Sequence, residues 1–280
     1  MSLTPENPDL EIILEKAIEN GINYFDTADM YQQGLNESLL GRFLKSRRKD
    51  LILATKVGNQ WRQDGSGWDW VPSKKYILDS VEESLRRLQT DYIDLYQLHG
   101  GTVEDPIDDI IDAFEILKTK GKIRWYGISS IRPNVIREYV RRSSIVSVMM
   151  QYSLLDRRPE EEMLDYLLEN KVGVLVRGAV AKGLLISKPA ESYLNYSPDQ
   201  IMAVLQTLKK LYAGDALISP GVAAIKFVLE HPAITSAVVG IRTLEHLKNA
   251  ILAGSAKNLD LEQLEILKSI LPLNRYTEHR

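Results

Sequence analysis

The 280-residue chain has no cysteine. That excludes disulfides, thiolate metal sites and thiol nucleophiles, and it fits a reducing compartment such as the cytoplasm. Charge of one sign is also lacking. The formal net charge of -3 gives no basic surface to attract nucleic acid and no polybasic face for a membrane. Long hydrophobic runs are missing too. The longest apolar region, residues 172–186, is interrupted by Arg177 and Lys182 and is too short to span a bilayer. The opening residues lack the basic and apolar regions of a secretory leader. No G-x-G-x-x-G lies between an apolar strand and a helix, so an open dinucleotide-binding sheet lacks its main signal. No low-complexity linker divides the chain, and no set of residues has metal-ligand spacing. We therefore expect a single domain over residues 1–280 with no metal.

What is present is alternation. Apolar residues at helical spacing predict helices over 9–20, 36–45, 73–88, 107–119, 133–141 and 159–169. Short β-branched segments predict strands over 22–26, 51–57, 93–99, 124–129, 146–151, 172–177 and 236–240. Gly21 and Gly121 stand where helix C-caps are needed before strands. Strands alternating with helices imply parallel pairing through crossover helices. For this length they favour an α/β fold of the (β/α)8 TIM-barrel type. Only seven strands are found, however, and the first element is a helix. The first barrel strand is expected to be absent or irregular, which would leave strand edges beside the gap.

Barrel active sites lie at the C-terminal ends of strands. Asp26, Lys56 and His99 end three successive strands, and Tyr31 follows the first of them by five residues. Each has an ordinary reading alone: a turn-capping aspartate, a Schiff-base or ion-paired lysine, a satisfied core histidine, one of 13 tyrosines. Together they form a proton-handling set. A lysine ending an apolar strand is costly to bury unless a carboxylate pairs with it, and Asp26 is the candidate. A nearby ammonium favours the phenolate form of a tyrosine, and a histidine can donate to a carbonyl oxygen. No residue in the set supplies a nucleophile for the carbonyl carbon. A hydride from a nicotinamide would complete a reduction. Trp61, Trp68 and Trp70, among glycines just after Lys56, read either as an aromatic wall for substrate or as a self-packed surface loop.

Five ordered segments carry a family resemblance along nearly the whole chain. They are Gly21-Ile-Asn-Tyr-Phe-Asp-Thr-Ala-Asp-Met-Tyr31, Leu51-Ile-Leu-Ala-Thr-Lys56, Asp91-Tyr-Ile-Asp-Leu-Tyr-Gln-Leu-His99, Gly121-Lys-Ile-Arg-Trp-Tyr-Gly-Ile-Ser-Ser130 and Gln151-Tyr-Ser-Leu-Leu. The chain resembles the aldo-keto reductases. The resemblance implies a (β/α)8 barrel and NADPH-dependent reduction of an aldehyde or ketone. It implies Tyr31 as proton donor, Lys56 and Asp26 as its tuning pair, and His99 as the group orienting the carbonyl.

By the same resemblance Ser129, Ser130 and Gln151 would hold the nicotinamide carboxamide. Arg177 stands where the family often has a stacking aromatic, and a guanidinium plane can also stack. Gly178, Val180, Lys182 and Gly183 would line the pyrophosphate with backbone N–H groups. Gly240, Arg242 and His246 would meet the adenosine end at a helix N-terminus, with Arg242 suited to a 2′-phosphate. Two departures, His246 and Ala250, leave NADH open beside NADPH. A cofactor-binding module without turnover is the alternative function. A Schiff-base aldolase using Lys56 is disfavoured, because pairing with Asp26 would keep the amine protonated.

Overall fold

The computed structural model describes residues 4, 6–211 and 218–280. They group into two compact units, the first drawn from residues 1–148 and 279, the second from 149–278 and 280.

In the first unit α1 (Leu10–Glu19) buries Ile13, Leu14 and Ala17, and the chain leaves it through Gly21 at φ 84°. A three-residue strand β1 (Tyr24–Asp26) follows. After it come a left-handed turn at Gln32 and Gln33, then α2 (Leu35–Leu44). Next is β2 (Ile52–Val57), buried except at its first residue. The tryptophan segment is a small antiparallel hairpin, β3 (Asn59–Trp61) and β4 (Trp68–Trp70), with Trp61 opposite Trp68. Then α3 (Lys74–Leu88) starts at Ser73, whose hydroxyl accepts the Tyr76 N–H. The unit continues through β5 (Ile93–Leu98), α4 (Ile107–Thr119), β6 (Ile123–Ser129) and α5 (Pro133–Arg142).

The strands β1, β2, β5 and β6 pair in that order, all parallel. The register sets Asp26 beside Ala54 and Lys56 beside Gln97. All six residues of β5 are buried. Its two polar residues, Asp94 and Gln97, are buried with the rest and bond to the Leu53 N–H and to Asp26.

The strand β7 (Ser147–Gln151) leads into the second unit. There a single 3-10 turn (Arg158–Glu161) precedes α6 (Met163–Glu169), then β8 (Gly173–Arg177). The strand β8 is extended at its end by the Tyr152 N–H donating to the Arg177 carbonyl. The unit closes with α7 (Pro198–Leu211), α8 (Pro220–Leu229), β9 (Ile234–Val238), α9 (Leu244–Ser255) and α10 (Leu261–Ser269). The strands β8 and β9 run parallel with a register shift between Val174 and Leu175.

All seven expected strands are present within two residues of their expected ends. The helix expected over 159–169 is broken, because Glu162 takes φ -164° between the 3-10 turn and α6. The tryptophan loop proves to be a hairpin. The helices α7, α8 and α10 were not anticipated. Ahead of Leu10 the described residues form turns and no strand, and residues 1–3 and 5 lie outside the described residues.

Candidate active site

In the first unit Lys56 is 1% exposed, with its ammonium 2.5 Å from Asp26 Oδ2 and 2.7 Å from the Thr27 carbonyl. A cation so deep in a strand end is tolerable only with such partners. Gln97 donates to the other oxygen of Asp26 at 3.5 Å. Burial pushes the Asp26 carboxyl up, and the Lys56 ammonium offsets only part of that rise. The turn-capping reading of Asp26 is thus replaced by an ion pair.

Lys56 Nζ lies 5.3 Å from the centroid of the Tyr31 ring, and the Tyr31 and His99 rings meet edge to face at 5.7 Å and 80°. The ends of β1, β2 and β5 therefore bring Asp26, Tyr31, Lys56 and His99 together. His99 continues the β5 ladder, its N–H donating to the Val57 carbonyl.

A second polar layer braces this set. The Asn59 amide donates to the His99 carbonyl, and the Tyr76 hydroxyl donates to Asp29 Oδ2 at 3.4 Å and to the Asn59 carbonyl at 3.3 Å. The Asp29 N–H in turn donates to the Lys56 carbonyl. Asp29 Oδ1 is buried and finds no hydrogen-bond partner. Burial and the Glu37 carboxylate push Asp29 up to about 7, against the Met30 N–H, Arg87 and Tyr76. Glu37 itself is fully buried, bonded to Thr55 and paired with Arg87 at 2.6 Å. Sequence reasoning missed Asp29, Asn59 and Tyr76. The available signal was a second carboxylate two residues before Tyr31.

The tryptophans divide. The Trp61 N–H donates to the Met30 carbonyl, next to Tyr31. Trp68 is 48% exposed. Trp70 bonds Asp105, and its ring lies where a Cβ on Gly58 would come within 2.5 Å. Gly58 takes φ 127°, so only glycine admits that ring. Ser129 and Ser130 are both buried at the end of β6, and the Ser130 hydroxyl accepts the Arg132 N–H. A shallow cleft of ≈ 500 Å³ lined by Tyr92, Lys118, Gly121, Ile123, Arg124 and Trp125 lies instead near the start of β5 and β6, the end opposite His99.

In the second unit Gln151 ends β7. Arg177, at the end of β8, donates to Gln151 Oε1 at 3.0 Å. Gly178 takes φ 77°, and a Cβ there would stand 3.3 Å from Gln151 Cγ. Val180, Lys182 and Gly183 form the turn that follows, with Lys182 at φ 56° and Gly183 at φ 95°. A bare, left-handed backbone beside an amide side chain fits the approach of a nicotinamide dinucleotide. Gly240 and Arg242 are exposed and His246 is partly so, where α9 begins. Thr243 caps that helix, and His246 Nδ1 accepts the Arg242 N–H at 3.4 Å. Asn249, one residue before Ala250, is buried and accepts the Ser219 hydroxyl.

Among the described residues no group of three or more His, Cys, Asp or Glu could hold a metal ion, and no helix is long and apolar enough to cross a membrane.

The sequence profile of the aldo/keto reductase family matches residues 4–272, and the chain belongs to that family. The fold is that of its α/β barrels. Aldo-keto reductase AKR11C1 from Bacillus halodurans, in its holo form, superposes with a TM-score of 0.93 at 48% identity, covering 100% of this chain and 92% of that one. Uncharacterized oxidoreductase YqkF from Bacillus subtilis is 48% identical, across 100% of this chain and 93% of its own. The NADH-specific methylglyoxal reductase of Escherichia coli is 33% identical over 66% of this chain and 60% of its own length. The protein is thus an oxidoreductase of a family that uses nicotinamide cofactors on small carbonyl compounds.

Proposed function

We propose that residues 1–280 act as one aldo-keto reductase domain in the cytoplasm, reducing an aldehyde or ketone to an alcohol with NADPH. The observation that carries this reading is the buried Lys56–Asp26 pair with its ammonium 5.3 Å from the Tyr31 ring centroid. The cofactor supplies the hydride. His99 donates to the carbonyl oxygen and sets its angle. Tyr31 delivers the proton to that oxygen, and Lys56, held by Asp26, offsets the charge left on the phenol. Trp61, Trp68 and Trp70 offer the aromatic surface against which the carbonyl compound packs.

Ser129, Ser130 and Gln151 would hold the carboxamide, and Arg177 would offer its guanidinium plane to the ring. Gly178, Val180, Lys182 and Gly183 line the pyrophosphate. Gly240, Arg242 and His246 take the adenosine end, and Arg242 is the group suited to a 2′-phosphate. NADH stays within reach of this site, as one relative is named for it.

The test is NADPH oxidation over an aldehyde panel, with cofactor binding followed by fluorescence quenching. Tyr31→Phe is expected to lower turnover by roughly 100- to 10,000-fold while quenching persists. Carbonyl reduction that survives Tyr31→Phe overturns the reading. Tight NADPH binding with no turnover in the parent protein favours a cofactor-sensing module instead.

A further inference from the structure

Gln151 is held by three partners whose chemistry leaves its amide one orientation. Its Nε2 donates to Asp156 Oδ2 at 2.8 Å and to the Tyr193 hydroxyl at 2.9 Å. Its Oε1 accepts from Arg177 Nη1 at 3.0 Å. An ionised carboxylate only accepts and a guanidinium only donates. An inverted amide would set oxygen against oxygen at Asp156 and N–H against N–H at Arg177. The orientation therefore follows from the partners and not from the naming of the two terminal atoms.

Asp156 is itself fixed. It is fully buried, gripped by Arg158 with both Nε and Nη2 at 2.8 Å. The Arg158 guanidinium lies 5.2 Å from the Tyr276 ring centroid. Within the tight turn the backbones of Ser153 and Asp156 bond each other in both directions. Asp156 is not among the residues assigned to the reaction or to the cofactor, yet a buried carboxylate is costly to keep.

The consequence lies in what Gln151 has left. Both of its N–H donors are used, so only a lone pair on Oε1 remains. This side chain can accept one more hydrogen bond and can donate none.

We propose that Asp156 is a positioning residue that locks Gln151 as a pure acceptor, so that the cofactor site selects a nicotinamide through its carboxamide N–H. The inference rests on the reading that Gln151 meets the carboxamide. A dinucleotide whose ring carries a methyl ketone in place of the amide presents no donor, and leaves the Oε1 lone pair unmatched. Loss of one such bond at this half-buried acceptor corresponds to a preference of about 2- to 10-fold.

The test titrates the protein with NADPH, with its 3-acetylpyridine analogue and with 2′-phospho-ADP-ribose, which lacks the ring. The parent protein is expected to favour NADPH over the analogue by about 10-fold. Asp156→Asn, which can offer either an N–H or an oxygen to Gln151, is expected to bring that ratio below about 3-fold. Affinity for 2′-phospho-ADP-ribose should stay unchanged. Tyr193→Phe frees one Gln151 N–H without touching the ion pair, and is expected to lower the ratio part of the way. This variant decides the matter if Asp156→Asn does not fold.

Gln151→Ala separates the inference from the reading beneath it. If Gln151→Ala abolishes the preference while Asp156→Asn and Tyr193→Phe retain it, the positioning role is wrong and the carboxamide reading stands. If Gln151→Ala leaves the preference intact, the carboxamide reading itself is wrong. An equal loss of affinity for all three ligands in Asp156→Asn would reduce Asp156 to a structural role and overturn the inference.

Discussion

The two units hold their polar groups in different ways. In the first, charge is buried: Lys56 is 1% exposed and Glu37 fully buried, each against an opposite charge at the end or side of short parallel strands. In the second, most groups assigned to the cofactor sit on turns and at a helix start, with Gln151 and Arg177 at strand ends. Those on the turns and the helix start are bare backbone at Gly178 and Gly183 and an exposed side chain at Arg242. The Gln151–Asp156–Arg158 cluster there resembles the first unit, since it too is anchored by a buried carboxylate. The contrast follows from what each task needs. A proton donor must meet a charge that does not relax away, and a buried ion pair supplies one. A dinucleotide must be admitted and released, and surface turns serve that better than a buried ion pair, although the Gly183 N–H here already donates to the Val180 carbonyl.

The most severe way to break the contrast is to remove the buried charge. Lys56→Met is expected to lower turnover at least about 100-fold and to cost about 3–5 kcal/mol of stability, because Asp26 is left buried without its partner. The double variant with Asp26→Asn should regain most of that stability in thermal denaturation and none of the turnover. Wild-type turnover in Lys56→Met would show that the charge is structural only.

The next largest effect belongs to the turn. Gly178→Ala places a Cβ at φ 77° and 3.3 Å from Gln151 Cγ. The free turn is expected to relax away from roughly 1–2 kcal/mol of backbone strain that NADPH must then restore, which weakens binding about 10-fold with turnover at saturating cofactor nearly unchanged. A fall in turnover with unchanged affinity would contradict the division of labour between the units.

The smallest effect concerns Asp29. Its carboxyl is pushed from 3.8 up to about 7 in the folded protein. Between those values the folded chain keeps a proton that the unfolded chain releases, so stability falls as pH rises from about 4 to 7 and is level above. Asp29→Asn removes that dependence. Thermal melts should show the variant more stable than the parent at pH 8 and no gain at pH 4. An equal gain at both pH values would mean that Asp29 does not titrate in this range.

The strands were legible in sequence because burial on both faces writes itself as short β-branched runs. The helices were legible where one apolar stripe faces the strands, as in α1 and α4. The helix α8 was not anticipated: eight of its ten residues are buried, so no polar face marks its period. The hairpin of β3 and β4 has only three residues a side, too few for alternation to register. The break at Glu162 carries no breaker residue. Beside it, the Glu161 carboxylate accepts the Tyr276 N–H and pairs with Arg280, more than a hundred residues onward.

The same boundary runs through the site. The sequence alone determined which residue types end each strand, and hence that Asp26, Lys56 and His99 share one end. Strand ends are local, and apolar period decides them. Tertiary structure decided the partners. Gln97 joined Asp26, Tyr76 and Asn59 joined Asp29 and His99, and Asp156 turned a two-faced amide at Gln151 into an acceptor. Those partners come from other elements or turns, and a hydrogen bond across space leaves no period in the chain that makes it.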